Sequence, residues 1–142
     1  MIDAVSNAIQ LVPIGGGVVF ENTRIKTGCT VRHESGSARF VLLAPGIYSV
    51  HFSGNIAVPT GETVGPISVA LAVDGEGIAG TDAIYTPTVV DTYGNVSVNA
   101  LVRVYGCGGA NVGVAVENTS EIPINVQDAN LIIIRECGGG NG

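Results

Sequence analysis

The sequence has no tryptophan, a single lysine and a single methionine, and only 13% of its 142 residues are charged. Charged residues usually make up about a quarter of a soluble domain, so half the ordinary complement is missing. Six basic residues face twelve acidic ones, for a formal net charge of −6. That balance excludes a phosphate-binding footprint, and no nucleic-acid partner is expected. No apolar run approaches the ~20 residues of a membrane-spanning helix. Gly, Asn, Ser or a charged residue interrupts each long one, so no membrane partner is expected either. The three cysteines, Cys29, Cys107 and Cys137, form no Cys-x-x-Cys and have no histidine pair nearby. Neither a zinc site nor a disulfide framework fits that spacing. Unpaired thiols acting as small buried hydrophobes are expected, with an intermolecular bridge through Cys137, beside Gly138-Gly139-Gly140, as the alternative. Met1-Ile2-Asp3 opens on an acid, without early Lys or Arg, so no signal peptide is expected.

What the chain has is alternation. From Tyr48, the residues Val50, Phe52 and Ile56 fall on one face, with Ser49, His51 and Ser53 on the other. Ile67, Val69, Leu71 and Val73 alternate with Ser68, Ala70, Ala72 and Asp74. Val96 to Val104 and Val112 to Val116 repeat the pattern. Period two in β-branched residues is the mark of a half-buried strand. Helical signal is nearly absent; its best window, Ala4 to Leu11, is short and closed by Pro13. Turn chemistry punctuates the strands at Ala44-Pro45-Gly46, Asp74-Gly75 and Glu121-Ile122-Pro123. Gly106-Cys107-Gly108-Gly109 separates two Val-rich strands and reads as another hairpin. Eight to ten strands at this spacing predict an all-β antiparallel β-sandwich of the jelly-roll kind.

Leu131-Ile132-Ile133-Ile134 breaks the alternation, being apolar on both faces. In a two-layer sandwich only one face of a strand meets the other sheet, so the second face needs another cover. A neighbouring subunit is the simplest one, and the low charge fraction argues the same way. The expected subunit contacts are Leu101, Tyr105, Ile132 and Ile134.

Phe40 to Val50, with Pro45-Gly46-Ile47-Tyr48 at its centre, resembles the Pro-Gly-x-Tyr strand opening of C1q/TNF-like domains. Pro66 to Gly75 is similar to their next hairpin, Val96 to Tyr105 and Val112 to Val116 to their paired late strands, and Asp128 to Ile134 to their closing strand. The resemblance runs from about Gly17 to Glu136 and implies a ten-stranded jelly roll assembled as a homotrimer. Richness in Val, Ala and Gly, only three Phe and no collagen repeat make the chain similar to the bacterial and phage branch. That branch includes BclA-like spore-surface domains and small phage virion proteins. The expected division is an N-terminal arm over 1–17, a jelly-roll domain over 18–137 and a Gly-rich tail over 138–142.

Catalytic chemistry finds little support. His33 and His51 are the only imidazoles, and no nucleophile signature frames Ser35, Ser37, Ser49 or Ser53. Asp74-Gly75-Glu76-Gly77 lacks the dozen-residue oxygen pattern of a calcium hand and reads as a turn. Gly15-Gly16-Gly17 precedes a strand and not a helix, so it cannot cradle phosphate. No enzyme activity, cofactor or metal is expected. The expected function is a structural protein of a bacteriophage virion, decorating the capsid or forming a short fibre. The arm would meet capsid or fibre proteins, and the absence of signal and stalk fits assembly inside a host cell. The alternative is a BclA-like adhesion or receptor-binding domain of a spore or cell surface. A sugar-binding or hydrolytic jelly roll is least supported, because tryptophan is absent and the four tyrosines are dispersed.

Overall fold

A computed structural model describes residues 1–105 and 112–138, the last two by backbone alone. Twelve strands are present among these residues: β1 (Ile2–Ser6), β2 (Gln10–Val12), β3 (Asn22–Lys26), β4 (Val31–His33), β5 (Phe40–Leu42), β6 (Gly46–Ala57), β7 (Ile67–Val73), β8 (Glu76–Gly77), β9 (Ala83–Tyr85), β10 (Gly94–Val104), β11 (Val112–Asn118) and β12 (Ile124–Gly138). All pairings are antiparallel. The first sheet runs β10-β6-β12-β1-β3, with β2 continuing β1 along β12; the second runs β4-β5-β11-β7-β8, with β9 beside β7. The expected antiparallel jelly-roll sandwich is the observed architecture.

The alternating sequences explain the layers. Val50, Phe52 and Ile56 point inward from β6 and Ile67, Val69 and Leu71 from β7, all essentially inaccessible. The three phenylalanines share one core cluster: Phe20 meets Phe40 at 5.4 Å and Phe52 at 6.5 Å between ring centroids, both edge-on. Such pairs add roughly 0.5–1.5 kcal/mol beyond burial. Tyr48 is buried too, and its hydroxyl donates to the Ala44 carbonyl at 2.7 Å. The aromatic ring thereby ties β6 to the turn that launches it. Asp74 and Gly75 both have positive φ (50° and 88°) and join Val73 to Glu76, as a two-residue primed hairpin turn requires.

Three expectations need correction. Residues 1–17 are not a separate arm. Strand β1 lies inside the first sheet between β12 and β3, and Ile2, Ala4 and Val12 belong to the core. Polar neighbours at Asp3, Ser6 and Asn7 disguise the strand, while the Ala4–Leu11 window that reads weakly helical is divided between β1 and β2. Gly16 and Gly17 also continue the structure, since Gly15 and Val18 donate to the Asn118 and Val116 carbonyls. The core domain therefore begins at Ile2, not at residue 18. Second, β10 and β11 do not form a hairpin: β10 pairs with β6 in one sheet and β11 with β5 and β7 in the other. The Gly106–Gly109 segment itself lies outside the described residues. Third, Gly138 closes β12 opposite Gly46 and so belongs to the sheet, while residues 139–142 lie outside the description.

Strand β12 carries the fold's main irregularity. Ile124 and Val126 face inward, then Ala129, Leu131 and Ile133 do, so the inward parity switches from even to odd. A bulge makes the switch: Gln127 opposes Asn55, Asn130 opposes Ser53, and Asp128 between them has φ +53°. Without the extra residue, one half of the strand would turn its apolar side chains to solvent.

Candidate functional site

The outer face of the first sheet gathers what the sequence left without a partner. Reading across the ladders, Leu101 on β10 opposes Ser49 on β6, which opposes Ile134 on β12. The next row is Asn99, His51, Ile132, Asp3 and Ile25, contributed by β10, β6, β12, β1 and β3. Leu101 and Tyr105 are 68% and 71% exposed. Ile47, Ile132 and Ile134 are half-buried. All four residues expected at a subunit contact thus lie on one face of one sheet. Leu131 and Ile133, their neighbours in β12, point into the core.

Charge frames this face. On β1, Asp3 is nearly buried. It accepts from Arg24 at 3.1 Å and from the Asn130 side-chain amide, so its charge is internally compensated. The β1–β12 ladder stops at Ile2 and Ile133. Beyond it the face is three strands wide, with Arg103 on the β10 flank; the exposed Glu136 lies in a second bulge of β12, between Arg135 and Cys137. Arg103 lies 5.6 Å over the Tyr105 ring, within cation–π range.

At the centre, His51 Nε2 and Ser49 Oγ are 2.7 Å apart. Residues two apart on a strand face the same way, so the contact follows from the fold. A hydrolytic site needs a third group orienting the imidazole and donors for the oxyanion. The side chains opposite His51 are Asn99 and Ile132, and the Asp3 carboxylate is taken up by Arg24 and Asn130. Among the described residues the pair therefore has no third catalytic partner. His33 is structural: its ring stacks on Phe40 at 3.9 Å, and Nε2 lies 2.8 Å from the Ser37 carbonyl. Its Nδ1 is buried with no hydrogen-bond partner among the described residues.

The second sheet has an outer face of a different kind. Gly113 and Ala115 of β11 and Ala72 of β7 floor a cleft of about 430 Å³, with Arg39, Asp74 and Glu117 among its walls. Arg39 and Asp74 form a 3.6 Å ion pair, both side chains more than half exposed. In the segment between β9 and β10, burial and the Asp91 carboxylate push the Tyr93 hydroxyl above its ordinary range, with a hydrogen bond from Asn125 acting the other way. Cys29 is exposed, not the small buried hydrophobe expected; it sits in the short loop before β4, away from the core. Cys107 and the Cys137 side chain lie outside the described residues. No cluster of three or more metal-ligating side chains occurs among the described residues, nor does a helix long and apolar enough to cross a membrane. Of the apolar side chains expected to make the arm a docking segment, Ile9, Leu11 and Ile14 are exposed, whereas Val12 is buried in the core.

No family model matches the sequence, and no curated protein does. Solved structures match in shape. Eiger TNF from S. frugiperda is 11% identical with a TM-score of 0.70, covering 99% of this chain and 95% of that one. Murine APRIL is 12% identical with a TM-score of 0.60, over 94% and 98% of the two chains. Pika GITRL is 14% identical with a TM-score of 0.51, over 96% and 97%. At such identities the likeness is one of fold, and the fold is the TNF-like jelly roll.

Proposed function

We propose that this chain is a non-enzymatic structural protein that assembles as a homotrimer and serves in a bacteriophage virion, as capsid decoration or a short fibre. The observation that carries the assembly is the convergence of Leu101, Tyr105, Ile47, Ile132 and Ile134 on one outer sheet face. A second copy of the chain is the occupant that fits. Strand β10, which edges that face, is eleven residues long with Arg103 as its single charge, whereas free edges are ordinarily short or charged. The other edge, β3, is short and carries Arg24 and Lys26. Copies arranged head to tail in a closed ring would set the Arg103 flank of one against the β12 flank of the next. The C1q/TNF-like resemblance implies the same stoichiometry. The virion role rests on the similarity to the phage branch, on the low charge and on the lack, among the described residues, of a third catalytic partner for His51 and Ser49. Attachment through a free arm is withdrawn, since residues 2–12 are built into the sheet.

Light scattering at micromolar concentration tests the assembly, with three times the 14.4 kDa chain mass expected. Imaging of the native particle tests the virion role, with the protein expected at regular positions on capsid or fibre. The second reading, a BclA-like adhesion domain, is favoured by the cleft around Arg39, Asp74 and Glu117, whose polar walls suit a small polar ligand. Glycan-array binding that is lost in Arg39→Ala would move the function to that reading.

A further inference from the structure

The outer face of the first sheet sets a titratable group, His51, beside the apolar side chains Leu101, Ile132 and Ile134. His51 lies on the middle strand of the three that frame the face. Asn99 and Leu101 flank it on β10, and Ile132 and Ile134 on β12. We infer that His51 is an acid-release switch for subunit assembly, an inference that rests on the trimer proposed above. The neutral ring is carried into the interface, and its protonation expels it.

The physical case is one of missing compensation. In the neutral state His51 already has a partner, Ser49 Oγ at 2.7 Å, on a serine that is itself only 8% exposed. Burying that ring under a second subunit leaves one ring nitrogen satisfied from within the chain. Once protonated, the ring carries a charge whose desolvation must be offset by an opposite charge. Its own strand offers Ser49 and Ser53; β10 offers Ser97, Asn99 and Leu101; β12 offers Asn130, Ile132 and Ile134. None of these is an acid. The acid in the next position along the row, Asp3 on β1, is already held by Arg24 and Asn130. Toward the three-strand end, Arg103 adds positive charge beside Tyr105, and Glu136 lies in the β12 bulge between Arg135 and Cys137.

Histidine is the side chain whose ordinary titration falls between about pH 5 and 8. An interface that rejects imidazolium binds fewer protons than the free subunits do, so association is strongest in the alkaline part of that window and weakens as pH falls. With one histidine from each subunit, the loss reaches up to about three decades in the association constant per pH unit once the free ring is protonated. His33 lies in the other sheet and is common to every variant compared below.

The test is the mass of the full chain by light scattering at about pH 8 and about pH 5.5, with circular dichroism to check the fold. Wild type, His51→Gln and His51→Lys are compared. The expected result is a trimeric wild type at the higher pH that falls to monomer at the lower, a His51→Gln trimer at both, and a folded His51→Lys monomer at both. A wild type that stays trimeric at both overturns the switch and leaves the trimer standing. Equal dissociation of wild type and His51→Gln in acid overturns it too, by locating the release elsewhere. If His51→Gln does not assemble, His51→Lys decides: a trimer of that variant at the higher pH overturns the inference. A wild-type monomer at about pH 8 overturns the trimer and the switch with it.

Discussion

Ile2 stands opposite Ile133 in the β1–β12 ladder, and both side chains are fully buried. The second residue of the chain is therefore locked to the last strand, in the interior of a sheet. Each such side chain contributes roughly 1.5–3 kcal/mol by burial alone, and β1 also supplies ladder bonds to β12 and β3. Truncating Ile2 to alanine should cost about 2–5 kcal/mol, read as a lower midpoint in urea. Deleting Met1 to Ser6 should abolish the cooperative thermal transition followed by circular dichroism. An unchanged melting temperature after that deletion would show that β1 is dispensable.

Neighbouring residues on β12 should give opposite phenotypes. Ile132 faces outward and is half-buried, whereas Ile133 faces the core. Ile132→Asp should leave a folded chain that no longer reaches trimer mass, because an unpaired charge would be buried at the contact at a cost of several kcal/mol. Ile133→Asp places the same charge in the core and should prevent folding. Leu101→Asp should behave like Ile132→Asp, since both lie on one outer face. Assembly of either outer-face variant at wild-type concentration would remove the face from the interface.

Much of this fold was legible because its central strands obey strict alternation. The inward sets of β6, β7, β10 and β11 could be assigned residue by residue from period two, and Asp74-Gly75 announced its turn by composition. What stayed hidden lacked a local signal. Strand β1 alternates buried Ile2 and Ala4 with Asp3, a carboxylate that is tolerated nearly buried only because Arg24 and Asn130, both distant in sequence, supply donors. The placement of β10 and β11 in different sheets is a matter of topology, which a glycine-rich connection does not encode. The apolar face was half legible: the doubly apolar run Leu131–Ile134 called for a cover. That Leu101 and Ile134 share a row through Ser49 depends on register, and β12's register depends on the bulge at Asp128.

Alkaline pH should weaken the fold through Tyr93. Its hydroxyl is held above the ordinary range by burial and by the Asp91 carboxylate, so the folded chain keeps the proton more tightly than the unfolded one. Stability from this group is complete below the ordinary tyrosine value of about 10 and is lost as pH rises through the higher folded value. The urea midpoint should therefore fall as pH rises above about 10, and Tyr93→Phe should blunt that fall. An identical decline in the variant would assign it to other groups.

Two glycines in the sheets should respond differently to alanine, although each would meet a neighbour. A Cβ at Gly54 would lie 2.9 Å from Phe52 Cζ and 3.6 Å from Ala129 Cα. Phe52 is buried and packs edge-on against Phe20 at 6.5 Å, so the ring has nowhere to go. Ala129 belongs to the β12 bulge opposite, which also cannot move without shifting the strand's register. Gly54→Ala should cost about 1–3 kcal/mol as overpacking. A Cβ at Gly113 would instead fall on the Arg39 guanidinium, the end of a flexible side chain that is 59% exposed. Arg39 can swing into solvent, giving up only its surface pair with Asp74, which is worth about 0–1 kcal/mol. Gly113→Ala should therefore shift the urea midpoint little, while displacing Arg39 from the cleft. Equal losses in the two variants would mean that the buried ring is free to move, against the packing described here.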